Sequence, residues 1–392
     1  MKRLTIRNFG PIEEAQFELK RVNIILGPQS SGKSTVLKVA CFCDWMERQI
    51  AISQDPERYC KSDFFVRNLL EFHKLDGFMH PDSYIGYEND SIKFEYDAKS
   101  NKCDFSWADA ASKRWGYKRT KIAYIPAERN LVAAIPNWYQ VAMKNNNILD
   151  FMTEWEFARK NFSKKEPILG LPFSYRYNTS DNGDRIVMPN GKELDLTNAS
   201  SGLQSLTPLS VMLRYLTNEF YKEKHTKVEE TVLRDNLERV VARECADKTP
   251  EKQLEIVNGI LTPYRTDLFI EEPEAHLYPS TQKEFVYSLV SLLNGRRRHF
   301  CFIATHSPYI MTSLNNLIQA GELIAESKEK ANKVETRFPK RQTLTFDTVA
   351  AFAINDGKTK SIMDEDFRLI SAEALDCASQ EIADDFNFLL NI

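Results

Sequence analysis

The sequence predicts an α/β fold with a mixed β-sheet, antiparallel strands at its N-terminal side and a helical lobe inserted into the core. Three observations predict it. Gly27-Pro-Gln-Ser-Ser-Gly-Lys-Ser-Thr35 stands between an apolar run, Val22 to Leu26, and a helical pattern from Val36 onward; this is the strand–loop–helix setting of a phosphate-binding loop. Leu268-Phe-Ile-Glu-Glu272 is an apolar strand that ends in two acids. Ahead of the loop, Leu4, Ile6 and Phe9, then Ala15-Gln-Phe-Glu-Leu19, alternate as half-buried strands do.

The remaining elements follow in order. A helix runs from Lys33 to about residue 52. Residues 54–120 are mixed and aromatic, with a hairpin around Tyr84–Tyr96 and Lys102–Trp107, and Lys121–Ile125 is a buried strand. A helical region covers 138–163, with Trp138, Phe151, Trp155 and Phe157 as its core residues. The pairs Asn182-Gly183 and Asn190-Gly191 suit type I′ turns, so 173–197 reads as a β-meander. A helix opens near Ser205 and reaches about Lys222. Val228, Val232, Leu237 and Val241 then recur at helical spacing in a charged insertion. A strand over Asp267–Glu271, a helix over Ser280–Asn294, a strand over Phe300–Thr305 and a hairpin turning at Asn355-Asp356-Gly357 follow. Lys328–Lys340 reads as a loose connector, and a last helix spans 371–391.

With 392 residues the chain can hold one large α/β domain with insertions, or two domains. We read 1–392 as one unit, with insertions at 54–120 and 138–265 and the C-terminal half of the core at 266–392. A hydrophobic content of 42% and a charged content of 27% are ordinary for a globular chain. The formal charge of −3 argues neither for nor against nucleic acid, because a basic patch can hide in a neutral total. No apolar stretch approaches the roughly 20 residues of a membrane span, and the N-terminus lacks the apolar core of a signal peptide. The seven cysteines show no CxxC spacing, and Cys41 and Cys43 read as core residues. The expectation is a reduced, cytoplasmic protein without a membrane partner.

The chemistry-bearing residues fall at strand ends. In a phosphate-binding loop the glycines let successive N–H groups turn towards phosphate oxygens, and the next helix adds its positive end. Gly27, Pro28, Gln29, Ser30, Ser31, Gly32, Lys33, Ser34 and Thr35 would cradle a nucleoside triphosphate. Lys33 would reach the β- and γ-phosphates, and the Ser34 hydroxyl would ligate Mg²⁺. Glu271 sits where a carboxylate can hold Mg²⁺ directly or through water, and Glu272 where it can deprotonate the attacking water. His306 ends the strand Phe302-Ile-Ala-Thr-His306, at the edge of an open α/β sheet where ligands bind. Each signal has a structural counterpart: acids are common at loop starts, and Ser200-Ser-Gly-Leu-Gln-Ser205 is also an ordinary helix start. The order along the chain is what adds weight.

With these motifs the sequence resembles an ABC-type AAA ATPase head of the group that includes the OLD-family (overcoming lysogenisation defect) proteins. It is more distantly similar to SMC and break-repair ATPases. The carrying residues are Asn8-Phe9-Gly10, Gly27–Thr35, Ile125-Pro-Ala-Glu-Arg-Asn130, Ser200–Ser205, Ile270-Glu-Glu-Pro-Glu-Ala-His-Leu-Tyr-Pro279 and Ala304-Thr-His-Ser-Pro308. The resemblance implies ATP and Mg²⁺ as cofactors and two heads that sandwich two ATP molecules. It places Asn8 among the nucleotide-binding residues, and Ser201, Gly202 and Gln204 of one head against the phosphate loop of the other. Glu274 to Leu277 would couple the two sites. Leu203 stands where transporter signatures carry a second glycine, and Glu271 replaces the more usual Asp. Glu128 and Arg129 fall near a sensing loop, with an ion pair as the structural counterpart.

The resemblance implies a slow ATPase that pairs head to head and scaffolds, senses or regulates a separate effector, such as a nuclease or toxin, in bacterial anti-phage defence. Long heptad arms are absent from the sequence, and roughly 80 residues follow His306, fewer than a typical domain. The alternative is a DNA-binding repair or maintenance ATPase of the SMC-like class. Its support is Arg296-Arg-Arg-His299 together with Lys113, Arg114, Lys118, Arg119 and Lys121 around Trp115 and Tyr117. A third reading is a structural head that binds ATP and turns it over feebly.

Overall fold

Val22–Leu26 (β3) is buried at every residue, and so is Phe300–Thr305 (β13). Such strands carry apolar groups on both faces and need a layer on each side, which places them centrally in a parallel sheet. The computed structural model describes residues 2–107, 114–135, 137–222 and 228–371, without the side chains of 228–231, and it bears this out. A parallel block runs through Val349–Asn355 (β14), β3, β13, Arg265–Glu271 (β12) and Thr120–Ile125 (β7). Lys358–Ser361 (β15) turns back antiparallel to β14 and meets Ile12–Leu19 (β2). Beyond it lie Lys2–Phe9 (β1), Met79–Glu88 (β4), Ile92–Asp97 (β5) and Lys102–Trp107 (β6), all antiparallel. The described residues thus form one eleven-stranded mixed sheet.

Helices cover both faces. On one side α1 (Lys33–Ser53) and α2 (Ser62–His73) pack with the antiparallel wing against Phe269, Phe302 and Phe352. On the other, Leu268, Ile270 and Ile303 meet α3 (Asn147–Arg159), α4 (Ser201–Thr217), α7 (Pro279–Leu293) and α8 (Pro308–Glu326). Truncating a buried ring such as Phe302 to alanine would cost about 3–5 kcal/mol. A smaller cluster joins α5 (Val228–Glu244) and α6 (Pro250–Leu261) to Trp115 and Tyr117. Leu237 and Val241 supply its apolar face, but Val232 is 60% exposed, so the helical period carries one residue too many. Phe157 is likewise exposed, whereas Trp138, Phe151 and Trp155 are core.

The meander exists as a small sheet of Glu166–Pro167 (β8), Ser174–Asn178 (β9), Gly183–Val187 (β10) and Glu193–Asp195 (β11). Its turns are not type I′, which needs positive φ at both central residues. Asn182 has φ 55 while Gly183 already belongs to β10; Gly191 has φ 82 while Asn190 does not share it. In the second turn the Gly191 N–H donates to Met188 O at 2.9 Å, closing a longer loop. Lys328–Glu335 is a helix (α9) rather than a loose connector. Ser327 caps it, and Lys333 pairs with Glu329 one turn earlier at 3.0 Å. The helix expected over 371–391 lies outside the described residues, apart from Ser371.

Candidate functional site

The phosphate loop leaves β3 at its C-terminal end and feeds α1. Gly27 is required there by contact with backbone, and Gly32 by its own conformation. A Cβ on Gly27 would stand 2.5 Å from the Ile354 carbonyl oxygen of β14, and one on Gly32 would stand 2.5 Å from Ile12 Cδ1. Gly32 also has φ 103, a left-handed value that only glycine takes without strain. The N-terminus of α1 has no side-chain cap and no acid in its first turn, so its positive end is left for an anion. Pro28, Gln29 and Ser30 are exposed, and Ser31 and Ser34 are half-buried. Lys33 is 5% exposed, and its Nζ donates to Gly27 O at 2.8 Å and Pro28 O at 2.6 Å. Burial pulls this ammonium below its usual range, while Glu272 and Glu274 pull it up.

The acidic segment follows β12. Glu271, its last residue, accepts the Ala127 N–H at 3.2 Å on Oε2, and its Oε1 is buried without a partner. Glu272 has φ 39 and His276 φ 63, so the turn holds two non-glycine residues in a conformation that costs of order 1 kcal/mol each. Glu274 gathers this end of the sheet. Its Oε1 accepts from Thr305 Oγ1 and the His306 N–H, both at 2.8 Å, and lies 3.2 Å from His306 Nδ1. The same His306 nitrogen is 4.0 Å from Glu272 Oε1.

Arg129 is the residue that sequence reasoning left undecided. It is fully buried, and rather than pairing with Glu128 it donates to four carbonyls, those of Pro126, Glu271, Glu272 and Pro273, at 2.9–3.4 Å. Glu128 instead approaches Lys74 at 4.0 Å on the surface. Burial lowers the Arg129 pKa to about 10, against the pull of Glu274, Glu272 and Glu271. One guanidinium thus fixes the backbone on which both acids ride. A buried arginine meeting only carbonyls leaves no sequence signal beyond the run Pro126-Ala-Glu-Arg129.

Helix α4 starts four residues earlier than expected, so Ser201, Gly202 and Gln204 form its first turn. Its N-cap, Ser200, makes no side-chain cap. Ser205 Oγ donates to Ala275 O at 3.0 Å, and a Cβ on Gly202 would stand 3.1 Å from His276 O. Gln204 Nε2 donates to Thr197 O at 2.8 Å. This segment therefore packs on the acidic turn, and among the described residues no hydrogen bond joins it to Gly27–Thr35. Asn8 lies where the β1–β4 register shifts, with φ 48, and lines a cleft with Pro11 and Ile12, the residues that abut Gly32. It does not itself bond to the loop.

The residues fit a Mg²⁺-bound phosphate ligand. Ser31 Oγ, Glu271 Oε1 and Glu274 Oε2 are buried oxygens without partners, and Mg²⁺ takes such hard oxygen donors. No group of three or more His, Cys, Asp or Glu side chains suited to a metal occurs among the described residues. No helix among the described residues is long and apolar enough to cross a membrane.

Comparison with known proteins gives matching family models and no matching curated protein. Residues 3–239 match a family described as AAA domain, and residues 265–311 one described as AAA ATPase domain. Among solved structures, the SMC head domain from Thermotoga maritima is similar at 10% identity and a TM-score of 0.40, covering 92% of this chain and 97% of that one. The recombination mediator protein RecF with ATP is similar at 12% identity and a TM-score of 0.36, covering 92% and 96%.

Proposed function

The chain belongs to the AAA domain family, and we propose that it binds ATP with Mg²⁺ and hydrolyses it slowly where β3, β12 and β13 end. The observation that carries the reading is the convergence there of Lys33, Glu271, Glu272 and His306 around an uncapped helix start. Lys33 would exchange the Gly27 and Pro28 carbonyls for β- and γ-phosphate oxygens, which a charged donor prefers. Ser34 and Glu271 would hold Mg²⁺, which supplies charge neutralisation. Glu272, fixed through its carbonyl by Arg129, would take a proton from water as its oxygen bonds to the γ-phosphorus and the bond to ADP breaks. His306, tethered to Glu274, would contact the γ-phosphate.

We further propose that two chains pair around ATP, with Ser201, Gly202 and Gln204 of one facing the phosphate loop of the other. Supporting this, the segment sits beside the acidic turn yet makes no bond to its own loop. The role beyond the ATPase, as scaffold, sensor or regulator of a separate nuclease or toxin in anti-phage defence, rests on the OLD-family resemblance alone. The test is the solution mass of the Glu272→Gln protein with and without Mg-ATP, beside wild-type ATPase activity. Doubling only with ATP supports the switch; an unchanged mass removes the pairing role of Ser201–Gln204.

A further inference from the structure

The basic segments offered to nucleic acid lie far apart in sequence, and the fold changes their membership. Trp115 and Tyr117 are buried in the α5–α6 cluster, so they are not stacking platforms. Arg114 pairs with Glu244 at 2.7 Å and Lys121 with Glu154. Lys113 lies outside the described residues. Arg119 donates to the Leu261 carbonyl at 2.6 Å and does not line the cleft. Lys118 meets Arg297 and Arg298 in one cleft of about 730 Å³, where Lys20 and Arg21 join them. This cleft lies where β3, β13, β12 and β7 begin, at the end of the sheet opposite the phosphate loop.

Two further cations of the cleft are neutralised in its floor. Lys2 Nζ lies 2.8 Å from Asp44 and 3.0 Å from Asp267, and Arg265 lies 2.9 Å from Asp267. The other five are different. Among the described residues, none of Lys20, Arg21, Lys118, Arg297 and Arg298 forms an ion pair with a carboxylate. Neutral groups position them instead: Asn294 Oδ1 accepts from Arg21 at 2.6 Å, and the Tyr264 carbonyl accepts from Arg297 at 2.7 Å. Arg297 also lies 3.9 Å from the Tyr221 ring centre, and Lys118 4.8 Å from that of Tyr264. Burial is the main cause that lowers the Arg21 pKa to about 10, and Arg298 and Arg265 nearby add to it.

The five cations come from the starts of β3, β13 and β7, with β12 between the last two, so they form a row rather than a point. Three gaps between four neighbouring strands span about 14 Å. A lone phosphate would leave most of that row unmatched, whereas a phosphodiester chain follows it. Tyr264, 46% exposed at the rim, adds an aromatic surface for a base. We propose that this cleft binds a single-stranded nucleic-acid segment, its phosphates along Lys20, Arg21, Arg298, Arg297 and Lys118 and a base against Tyr264. The site is separate from the ATP reading and stands or falls without it.

The test is anisotropy of a labelled oligodeoxythymidine with the full chain at several salt concentrations. The double variant Lys20→Glu/Arg298→Glu, exposed at Arg298 and half-buried at Lys20, is expected to bind at least about tenfold more weakly, with a salt slope smaller by about 0.7 per lost phosphate contact. Arg296→Glu is the control: it neighbours the run in sequence but does not line the cleft, and its binding should be unchanged. Tyr264→Ala should weaken the oligonucleotide about tenfold and leave pyrophosphate competition unaltered. No binding at low salt, or equal loss in Arg296→Glu, overturns the proposal. Full competition by pyrophosphate or a mononucleotide at similar concentration overturns the strand in favour of a small phosphate ligand. Preference for duplex overturns the single-stranded assignment.

Discussion

At one end of the parallel strands, Glu271, Glu272, Glu274 and His306 gather with two cations, Lys33 and the buried Arg129; at the other, seven cations line a cleft with two acids, Glu47 and Asp90. The two ends also differ in how their charges are held. The acidic end is braced: Arg129 binds four carbonyls, Glu274 gathers Thr305 and His306, and two residues sit at positive φ. The basic end has a neutralised floor beneath outer cations that form no ion pair with a carboxylate among the described residues. Between them the strands themselves are consumed by packing. The difference teaches that a buried sheet keeps its chemistry for the ends of its strands. There, a braced strand end suits bond-breaking that needs fixed geometry, and a row of cations held by neutral groups suits a polyanion.

Breaking the braced end should have the largest effect. Lys33→Ala is expected to weaken ATP by about 100-fold or more, since a charged donor to the phosphates is lost; equilibrium titration with a fluorescent ATP analogue checks it, and tight binding would contradict the role. Glu272→Gln should keep ATP binding and lower turnover by about 10²–10⁴-fold, read as phosphate release, and normal hydrolysis would sink the assignment. Arg129→Met should cost about 3 kcal/mol in denaturant unfolding, because buried carbonyls lose their donor. If stability is kept, the brace is dispensable. Ser201→Arg should leave ATP affinity of the single chain within about twofold, the scale of surface changes, yet prevent ATP-dependent pairing by solution mass.

The smallest effect belongs to the floor of the basic end. Burial, with Asp267 and Glu47 adding to it and Lys2 opposing, pushes the Asp44 carboxyl up to about 7 from 3.8. Between those values the folded chain holds a proton that the unfolded chain has released, so this group's contribution to stability falls as pH rises from about 4 to 7. Asp44→Asn should flatten that slope, and melting temperatures of both proteins at pH 5 and pH 7 check it.

Much of this was legible. The strand–loop–helix motif, the strand with two acids and the strand ending in His306 depend on local pattern, and each sits where the sequence places it. So does the turn at Asp356-Gly357. What escaped depends on tertiary partners. Arg129 binds only carbonyls, so no companion residue marks it. Val232 keeps the helical period but faces water because α5 packs through Leu237 and Val241. The first turn of α4 was hidden because Ser-Gly reads as loop until Ala275 and His276 pack against it. Trp115 and Tyr117 looked like stacking groups, since composition alone does not tell a buried ring from an exposed one. The meeting of Lys118 with Arg297 is a product of topology.

β2 and β3 are joined by only Lys20 and Arg21, yet in the sheet β15 and β14 stand between them. The back wall of Gly27 is the Ile354 carbonyl, and the Gly357 carbonyl accepts from the N–H groups of Glu13 and Glu14 at 2.9 and 3.1 Å. The phosphate loop is therefore synthesised before the strand carrying Ile354 and can be seated against it only once that strand has been made. Until then the two halves of the sheet have no common edge to share.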